Sequence, residues 1–330
     1  MSDLPNSEIL LLYEAKLCNP NGDPDEENKP RIDPKTNVNL VSDLRLKRFF
    51  RDYIISTWGE DYIYVTRVMG KTVRADERVL AGSLPLGERE EFMKERKITE
   101  ERRKTLPQLA EEVCKRYIDA RLFGATVPIG GEERGAQKTF IGPVQFTWGF
   151  SLHPVELVES STITSVFAGR HAEEQYGTMG KDWRLFYSLI AFYGVVSGRR
   201  ARGTGMREDD VKLLDDILWK ALSIQPTTRS KIGERPLLYL RVEYNDAETL
   251  IGDFRRYLGV HYSDVIREFK DVKLDFSNLI GELRKHKDKI SKIFIHCSED
   301  TENVKELLKD FAIQPLPHGI EKKAPDIFKL

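Results

Sequence analysis

The sequence has few of the residues from which common catalytic and metal centres are built. Its three cysteines, Cys18, Cys114 and Cys297, lie far apart and form no CxxC pair. A thiolate zinc site and a disulfide framework are therefore not expected. The six histidines are scattered without HExxH spacing, and neither a GxSxG elbow nor a complete P-loop occurs. These absences argue against the common hydrolase classes, and we expect no enzyme, metal or cofactor.

Long hydrophobic runs and a secretory signal are also missing. No stretch approaches the ~18–20 apolar residues that a membrane span needs. The N-terminal sequence MSDLPNSE is polar and lacks a basic region, so we expect a cytoplasmic protein. The 330 residues include 52 Lys and Arg against 53 Asp and Glu, a formal net charge of −1. This balance excludes a globally basic nucleic-acid binder but allows a local basic surface.

Hydrophobic patterning predicts six strong elements along the chain. They are strands over 8–17, 139–152, 183–196 and 236–244, and helices over 42–58 and 208–222. Their order, βαββαβ, is the ferredoxin-like arrangement that RNA-recognition motif (RRM) domains also use. We therefore predict an α+β fold with large insertions. The predicted division of the chain is a central domain over 1–58 and 136–245, an insertion over 59–135 and a mixed C-terminal extension over 246–330.

The predicted helix over 42–58 carries the strongest sign of a nucleic-acid surface. Within LRLKRFFR (44–51), four of the eight residues are basic and none is acidic. Steps of ~100° per residue place Lys47, Arg48 and Arg51 in one stripe opposite the apolar side, with Arg45 at the border. Such a stripe suits a phosphate backbone. An ordinary solvated helix face is the alternative, but the missing acidic partners within the stripe favour the first interpretation.

Two loops supply further candidates. Arg229 and Lys231 belong to the basic segment TTRSKIGER. A contact with nucleic acid or with a neighbouring subunit and an ordinary surface are equally open for it. Met179 and Lys181 belong to the segment GTMGK. A methionine at a loop tip can wedge between bases, and a simple hairpin turn is the alternative.

Two aspartates in the long loop after the first strand raise the question of catalysis. Asp23 lies in NGDP and Asp33 in IDP. Such carboxylates could hold a divalent metal for phosphodiester cleavage. Aspartates in these contexts more often have turn roles, which we favour.

Three spaced motifs together resemble one known family. They are NPNGDP over 19–24, PRIDP over 30–34 and LVSDLRLKR over 40–48. As a set they resemble the CRISPR-associated "Cas seven" backbone family, the DevR-like RNA-binding subunit of type I Cascade complexes, and most of all its subtype I-B form. Further similarity lies in 119–124, 140–148, 177–183 and 227–233, so that the resemblance covers roughly residues 5–245.

The resemblance implies a non-catalytic subunit that binds CRISPR RNA (crRNA). Copies of such a subunit stack in a helical filament along the guide and present it for pairing with target DNA. Large, small and repeat-processing Cascade subunits are the other implied partners. The alternative is a metal-dependent RNA endonuclease that uses a loop aspartate, Asp23 or Asp33.

The resemblance also implies a shape and a set of RNA contacts. The central domain becomes an RRM-like palm with a web, residues 59–135 become fingers, and about 160–182 become a thumb hairpin. Met179 and Lys181 are then expected near the thumb tip. The RNA-binding set that follows comprises Lys47, Arg48, Arg51, Arg45, Asn21, Arg31, Met179, Lys181, Arg229 and Lys231.

Overall fold

The computed structural model describes residues 4–129, 136–159, 162–168, 177–224, 228–317 and 324–328. Its strands are β1 (Ser7–Cys18), β2 (Gly22–Asp23), β3 (Lys29–Pro30), β4 (Val38–Val41), β5 (Gly124–Pro128), β6 (Gln137–Ile141), β7 (Val144–Phe146), β8 (Gly149–Pro154), β9 (Thr162–Ala168), β10 (Gly177–Lys181), β11 (Leu185–Val196), β12 (Glu234–Tyr244), β13 (Gly259–Tyr262), β14 (Val272–Asp275), β15 (Ile290–Cys297) and β16 (Ile313–Pro315). Its helices are α1 (Asp43–Trp58), α2 (Ala75–Ser83), α3 (Leu86–Glu95), α4 (Glu100–Glu111), α5 (Val113–Arg116), α6 (Ile118–Phe123), α7 (Gly198–Thr204), α8 (Glu208–Ile224), α9 (Ser277–Lys285), α10 (Asn303–Leu307) and α11 (Ala324–Phe328).

One mixed sheet organises the fold. Its strand order is β16-β15-β12-β1-β11-β8-β4, and β7 also pairs with β11. The pairs are antiparallel except β15 with β16. In chain order β1, α1, β8, β11, α8 and β12 give the predicted βαββαβ succession. The predicted α+β class is confirmed, while the closer likeness to an RRM palm stays a prediction.

Strand β1 is apolar on both sides because both faces of the sheet are covered. Ile9, Leu11 and Tyr13 pack with the apolar sides of α1 and α8. Leu10 and Leu12 point to the other face, where they join the core under α9, β14 and α10. A strand buried on both faces reads as a continuous apolar run rather than an alternating one.

The predicted strand over 139–152 is wrong as a single element. The chain forms three shorter strands there, β6, β7 and β8. Pro143 has no amide hydrogen for a central strand, and Gly142 lies so close to α6 that a Cβ would meet the Phe123 carbonyl carbon at 2.1 Å. The strand therefore breaks where the chain leaves the β5–β6 hairpin.

Residues 59–129 and 136–141 build a hydrophobic cluster of their own beside the sheet. Helices α2 to α6 and the β5–β6 hairpin enclose the side chains of Tyr64, Val68, Val79, Leu80, Ala81, Phe92, Met93, Leu106, Ala110, Val113, Cys114, Tyr117, Ala120 and Val127. We call this unit the finger insertion. Within the ranges that the structure describes, no helix is long and apolar enough to cross a bilayer.

The C-terminal part of the chain closes both faces of the sheet. Phe254, Phe276 and Leu283 cover one face together with β13, β14 and α10. On the other face Ile327 and Phe328 of α11 join the core of α1 and α8. The central strands therefore keep no open face on which bases could stack as they do on an RRM sheet.

His153 on β8 is buried and held in one tautomer. Its Nε2 accepts a hydrogen bond from the Leu189 amide at 3.1 Å, and its Nδ1 lies 2.7 Å from the Pro154 carbonyl oxygen. The ring stacks on Tyr187 with centroids 5.7 Å apart. Burial lowers the pKa of His153 below its ordinary value, so the neutral ring is the native form.

This burial predicts an acid-dependent loss of stability. Below about pH 6.5 the unfolded chain takes up a proton that native His153 resists, so the free energy of unfolding falls as the pH falls toward the folded-state pKa. Urea unfolding between pH 5 and 7.5 measures this loss. His153→Gln cannot titrate, and its unfolding free energy depends less on pH than that of the wild type. An identical pH dependence in the two proteins would contradict the prediction.

Candidate nucleic-acid interface

Because both faces of the sheet are covered, the ends of its strands are the exposed sides of the central domain. At one end β1 finishes where β11 and β12 begin, with Cys18 opposite Leu185 and Ala15 opposite Glu234. The N-terminal end of α1 reaches the same place, where Arg45 lies 4.0 Å from Glu234. We call the cations gathered here the strand-end surface: Lys29, Arg45, Lys181, Arg184, Arg229 and Lys231.

A partly buried group, which we call the acid–base trio, consists of Arg45, Lys231 and Glu234. The Lys231 ammonium donates a hydrogen bond to the Asn19 carbonyl oxygen, and Arg45 stacks on the Phe49 ring at 3.9 Å. The Glu234 side chain is only 3% exposed. Burial raises the pKa of Glu234 to about 7 against the opposing effect of Arg45 and Lys231. Burial likewise lowers the pKa of Lys231 to about 8.

Trp183 contacts two further cations of the strand-end surface. The Lys29 and Lys181 ammonium groups lie 5.6 and 5.7 Å from the centre of its indole ring. Such cation–π contacts hold both charges in place without neutralising them. Next to it, the Asp182 carboxylate pairs with Arg184 at 3.0 Å and with Arg229 at 3.2 Å. Three separate segments thus bring predicted site residues together: Arg45 from α1, Lys181 from β10, and Arg229 with Lys231 from the segment before β12.

Asn21 and Arg31 shape the loop beside this surface. The Asn21 side-chain oxygen accepts a hydrogen bond at 2.8 Å from the amide of Ser42, the residue before α1, whose own side chain makes no cap. The Arg31 guanidinium lies 3.3 Å from Asp23 and 5.7 Å from the Trp148 ring. Arg31, Asp23 and Trp148 line a groove of about 650 Å³. Asn21 therefore has a described role in capping α1, and RNA contact by either residue stays a prediction.

The expectation of an unpaired cationic stripe on α1 is wrong. Lys47 pairs with Asp43 at 2.7 Å, and Arg48 pairs with Asp52 at 2.6 Å. Both acids lie just outside the segment 44–51, one helical turn from their partners. The Lys47 side chain is only 10% exposed, whereas that of Arg48 is 49% exposed. An exposed ion pair is worth only about 0–1 kcal/mol, so a phosphate can replace Asp52 at Arg48 with little loss.

The Arg51 side chain is buried and forms an ion pair in the interior. Its Nε donates a hydrogen bond at 2.8 Å to Asp119 of α6, and the two side chains are 9% and 0% exposed. Asp119 also accepts hydrogen bonds from the amides of Tyr64 and Val65 at 2.6 and 3.1 Å. The pair fastens α1 to the finger insertion, so projection of Arg51 with Lys47 and Arg48 toward a polyanion is contradicted.

The hairpin β9–β10 corrects the expected positions of Met179 and Lys181. In the strand register Met179 lies opposite Thr164, and Lys181 lies opposite Thr162 at the base of the hairpin. Placement of both near the tip is therefore wrong. Residues 169–176, which connect the two strands, lie outside the described residues. Contact of Met179 or Lys181 with RNA stays a prediction.

The two loop aspartates have turn partners. Asp23 accepts a hydrogen bond from the Asp25 amide at 3.2 Å and faces Arg31. Asp33 accepts from the Lys35 amide at 3.0 Å and from the Thr36 hydroxyl at 2.7 Å. The Thr36 hydrogen bond, followed by that of Lys35, lowers the pKa of Asp33. In the described ranges, no three His, Cys, Asp or Glu side chains gather as a metal would need.

Sequence reasoning missed Glu234 and Trp183. Glu234 follows Arg229 and Lys231 directly in TTRSKIGER, and there it reads as a charge partner on a surface loop. Its side chain is only 3% exposed, and its ion-pair partner Arg45 lies on α1, which is distant in the sequence. Trp183 belonged to a predicted buried strand, whereas β11 begins two residues later at Leu185. Its position next to Lys181 was the one available signal.

The contrast between Arg51 and Arg48 gives a stability prediction. Arg51→Ala leaves the Asp119 carboxylate buried without its counter-charge, and we expect the free energy of unfolding to fall by about 3–5 kcal/mol. Arg48→Ala removes a half-exposed pair and lowers it by less than about 1 kcal/mol. Urea denaturation of both variants beside the wild type measures the difference. Equal effects would show that the Arg51–Asp119 pair does not fasten α1 to the finger insertion.

Comparisons with known proteins agree with this architecture. The family model described as CRISPR-associated protein Cas7 matches residues 5–277. The CRISPR-associated protein Cas7 of Haloferax volcanii is 32% identical over 313 residues, which cover 89% of this chain and 87% of that protein.

Solved structures resemble the fold over nearly the whole chain. A chain of a structure named "CRISPR RNA-guided surveillance complex, pre-nicking" matches with a TM-score of 0.55 and 14% identity, covering 97% of this chain and 99% of that one. A chain of a second CRISPR RNA-guided surveillance complex matches with a TM-score of 0.51 and 14% identity, covering 98% and 99%. These identities bear on the fold alone. With the family model matching most of its residues, the chain belongs to the Cas7 family of CRISPR-associated proteins.

Proposed function

We propose that this protein is a crRNA-binding backbone subunit of a type I Cascade complex, of the subtype I-B kind. Its strand-end surface holds the phosphate backbone of the guide irrespective of base sequence. The bases stay available for pairing with target DNA, so that base pairing and not the protein reads the sequence. The protein acts in the cytoplasm beside the large, small and repeat-processing subunits.

The observation that carries this proposal is the gathering of cations at one end of the sheet in a Cas7 family member. Lys29, Lys181 and Lys231 come from three distant segments and converge where β1 ends. In the part of the chain that the structure describes, neither Lys29 nor Lys181 has a carboxylate within 4.0 Å. Phosphates bind such a surface without base readout. Covered sheet faces also fit a protein that holds a backbone rather than one that stacks bases.

Assembly into a helical filament fits the charge of the chain. A formal net charge of −1 lets copies stack without strong mutual repulsion. Each copy then contributes its own strand-end surface to one continuous path for the guide. The β9–β10 hairpin is the proposed thumb that reaches the neighbouring copy.

The proposal predicts no RNA cleavage. Labelled single-stranded RNA incubated with the purified protein and Mg²⁺ stays intact, because Asp23 and Asp33 are engaged in turn hydrogen bonds and a salt bridge. Gel analysis of the RNA over time checks this. Cleavage that requires Mg²⁺ and disappears in Asp23→Ala or Asp33→Ala would replace the proposal with a metal-dependent endonuclease.

The proposal also predicts a defined salt dependence of RNA binding. The triple variant Lys181→Ala, Arg229→Ala, Lys231→Ala loses three of the proposed phosphate contacts of the strand-end surface. The slope of log affinity against log salt concentration should flatten by about 2, at roughly 0.7 per contact on single strands. Fluorescence anisotropy of a labelled RNA at several salt concentrations measures the slope.

A matched triple variant controls for the loss of charge alone. Arg284→Ala, Lys285→Ala, Lys305→Ala removes three half-exposed or exposed cations from α9 and α10. Its slope should stay close to that of the wild type. Equal flattening in the two variants would show that binding follows total charge and not the strand-end surface.

A further inference from the structure

Glu234 is a buried carboxylate with an incomplete set of partners. Its nearest cation is Arg45, at 4.0 Å, which is too far for a hydrogen bond. Within the described residues, its Oε1 has no hydrogen-bond partner, and neither do the nearby Tyr13 hydroxyl and Asn19 side-chain oxygen. A buried polar atom without a partner is costly, and its presence calls for an explanation.

Glu8 shows how this fold surrounds a buried carboxylate with hydrogen-bond donors. It accepts hydrogen bonds from the Tyr193 and Tyr244 hydroxyls, and from the amides of Ile251 and Gly252 at 2.7 and 2.8 Å. The Glu234 side chain is only 3% exposed, but among the described residues its Oε1 has no such donor. Its neutral, protonated form is therefore far closer in free energy to its ionised form.

The two cations of the acid–base trio are the groups that a phosphate would need. Arg45 and Lys231 are both partly exposed, and their neighbours in the sequence, Leu44 and Ile232, are exposed. A phosphate that pairs with them competes with Glu234 for the same charges. It also adds negative charge next to Glu234, which favours protonation of that carboxyl group.

We propose that the acid–base trio is a proton-linked phosphate site, at which Glu234 takes up a proton from solvent when an RNA phosphate pairs with Arg45 and Lys231. This inference rests on the proposed RNA-binding function and adds the exchange of one counter-charge to it. Without RNA, the Glu234 carboxylate is the negative charge next to Arg45 and Lys231. When RNA binds, its phosphate supplies that negative charge instead. Glu234 thereby sets how RNA affinity depends on pH.

The other groups that face Glu234 leave it as the centre of this exchange. Tyr13 and Cys18 of β1 are neutral near pH 7, because burial raises both pKa values, that of Cys18 to about 12. The charged groups nearby are Arg45 of α1, which lies 4.0 Å from Glu234, and Arg184, which acts on Cys18. Lys231 also titrates near the relevant range, so an experiment has to separate it from Glu234.

The pH dependence of RNA affinity tests the proposal. The probe is a labelled single-stranded RNA without a terminal phosphate, at constant ionic strength, between pH 6.5 and 8.5. The background variant Lys231→Arg keeps its charge over this range. In that background we expect affinity to fall as the pH rises, by up to about tenfold per pH unit for one linked proton. Adding Glu234→Gln should abolish the fall and leave tight binding at high pH.

Calorimetry measures the proton directly. RNA binding at pH 7.5, compared in two buffers of different ionisation enthalpy, should show net proton uptake for the Lys231→Arg protein and none after Glu234→Gln. Asp182→Asn in the same background is the matched control. It removes the same charge from a carboxylate that pairs with Arg184 and Arg229, and its proton uptake should equal that of the background.

The outcomes separate the two proposals. Absence of RNA binding at every pH, with folded protein, overturns the proposed function itself. RNA binding whose affinity and proton uptake are the same with Glu234 or Gln at this position leaves that function intact and overturns the proton-linked site. Proton uptake that disappears equally in Asp182→Asn also overturns it, because the linkage would then belong to the whole surface.

Discussion

The pairing of β1 with β11 on one side and β12 on the other is the constraint on which the rest of the structure depends. Because this strand is central in the sheet and covered on both faces, its side chains are almost all unavailable to a ligand. Function is therefore confined to the places where the chain leaves the sheet. The end of β1 is such a place, and α1, β12 and the β9–β10 hairpin all meet it there.

Much of this framework could be predicted because burial leaves a strong mark on a sequence. The apolar runs of β1, β11 and β12 follow from coverage of both faces, and the amphipathic helices α1 and α8 follow from coverage of one. Their succession was enough to predict the α+β class. The break of 139–152 into three strands depends on the close approach of Gly142 to Phe123, which no local pattern records.

The candidate site was less predictable because it depends on partners. The carboxylates of Asp43 and Asp52 lay at the limits of the basic segment, and i,i+4 pairing alone could have assigned them to Lys47 and Arg48. The partner of Arg51 is 68 residues away in a different unit. Glu234 looked like one more surface charge, but its side chain is only 3% exposed and its partner Arg45 lies on the distant helix α1. Charge patterns locate cations, but the fold decides which of them stay available.

Two buried salt bridges lie close together in α6 and face different helices. Asp119 holds Arg51 of α1, and Arg121 holds Asp210 of α8 while also donating a hydrogen bond to the Ile327 carbonyl of α11. These ion pairs thus connect the finger insertion to both helices that cover the sheet. Tilting the insertion would separate buried charges, so these ion pairs hold the finger insertion and α1 rigidly together. Arg45 lies in the first turn of that helix.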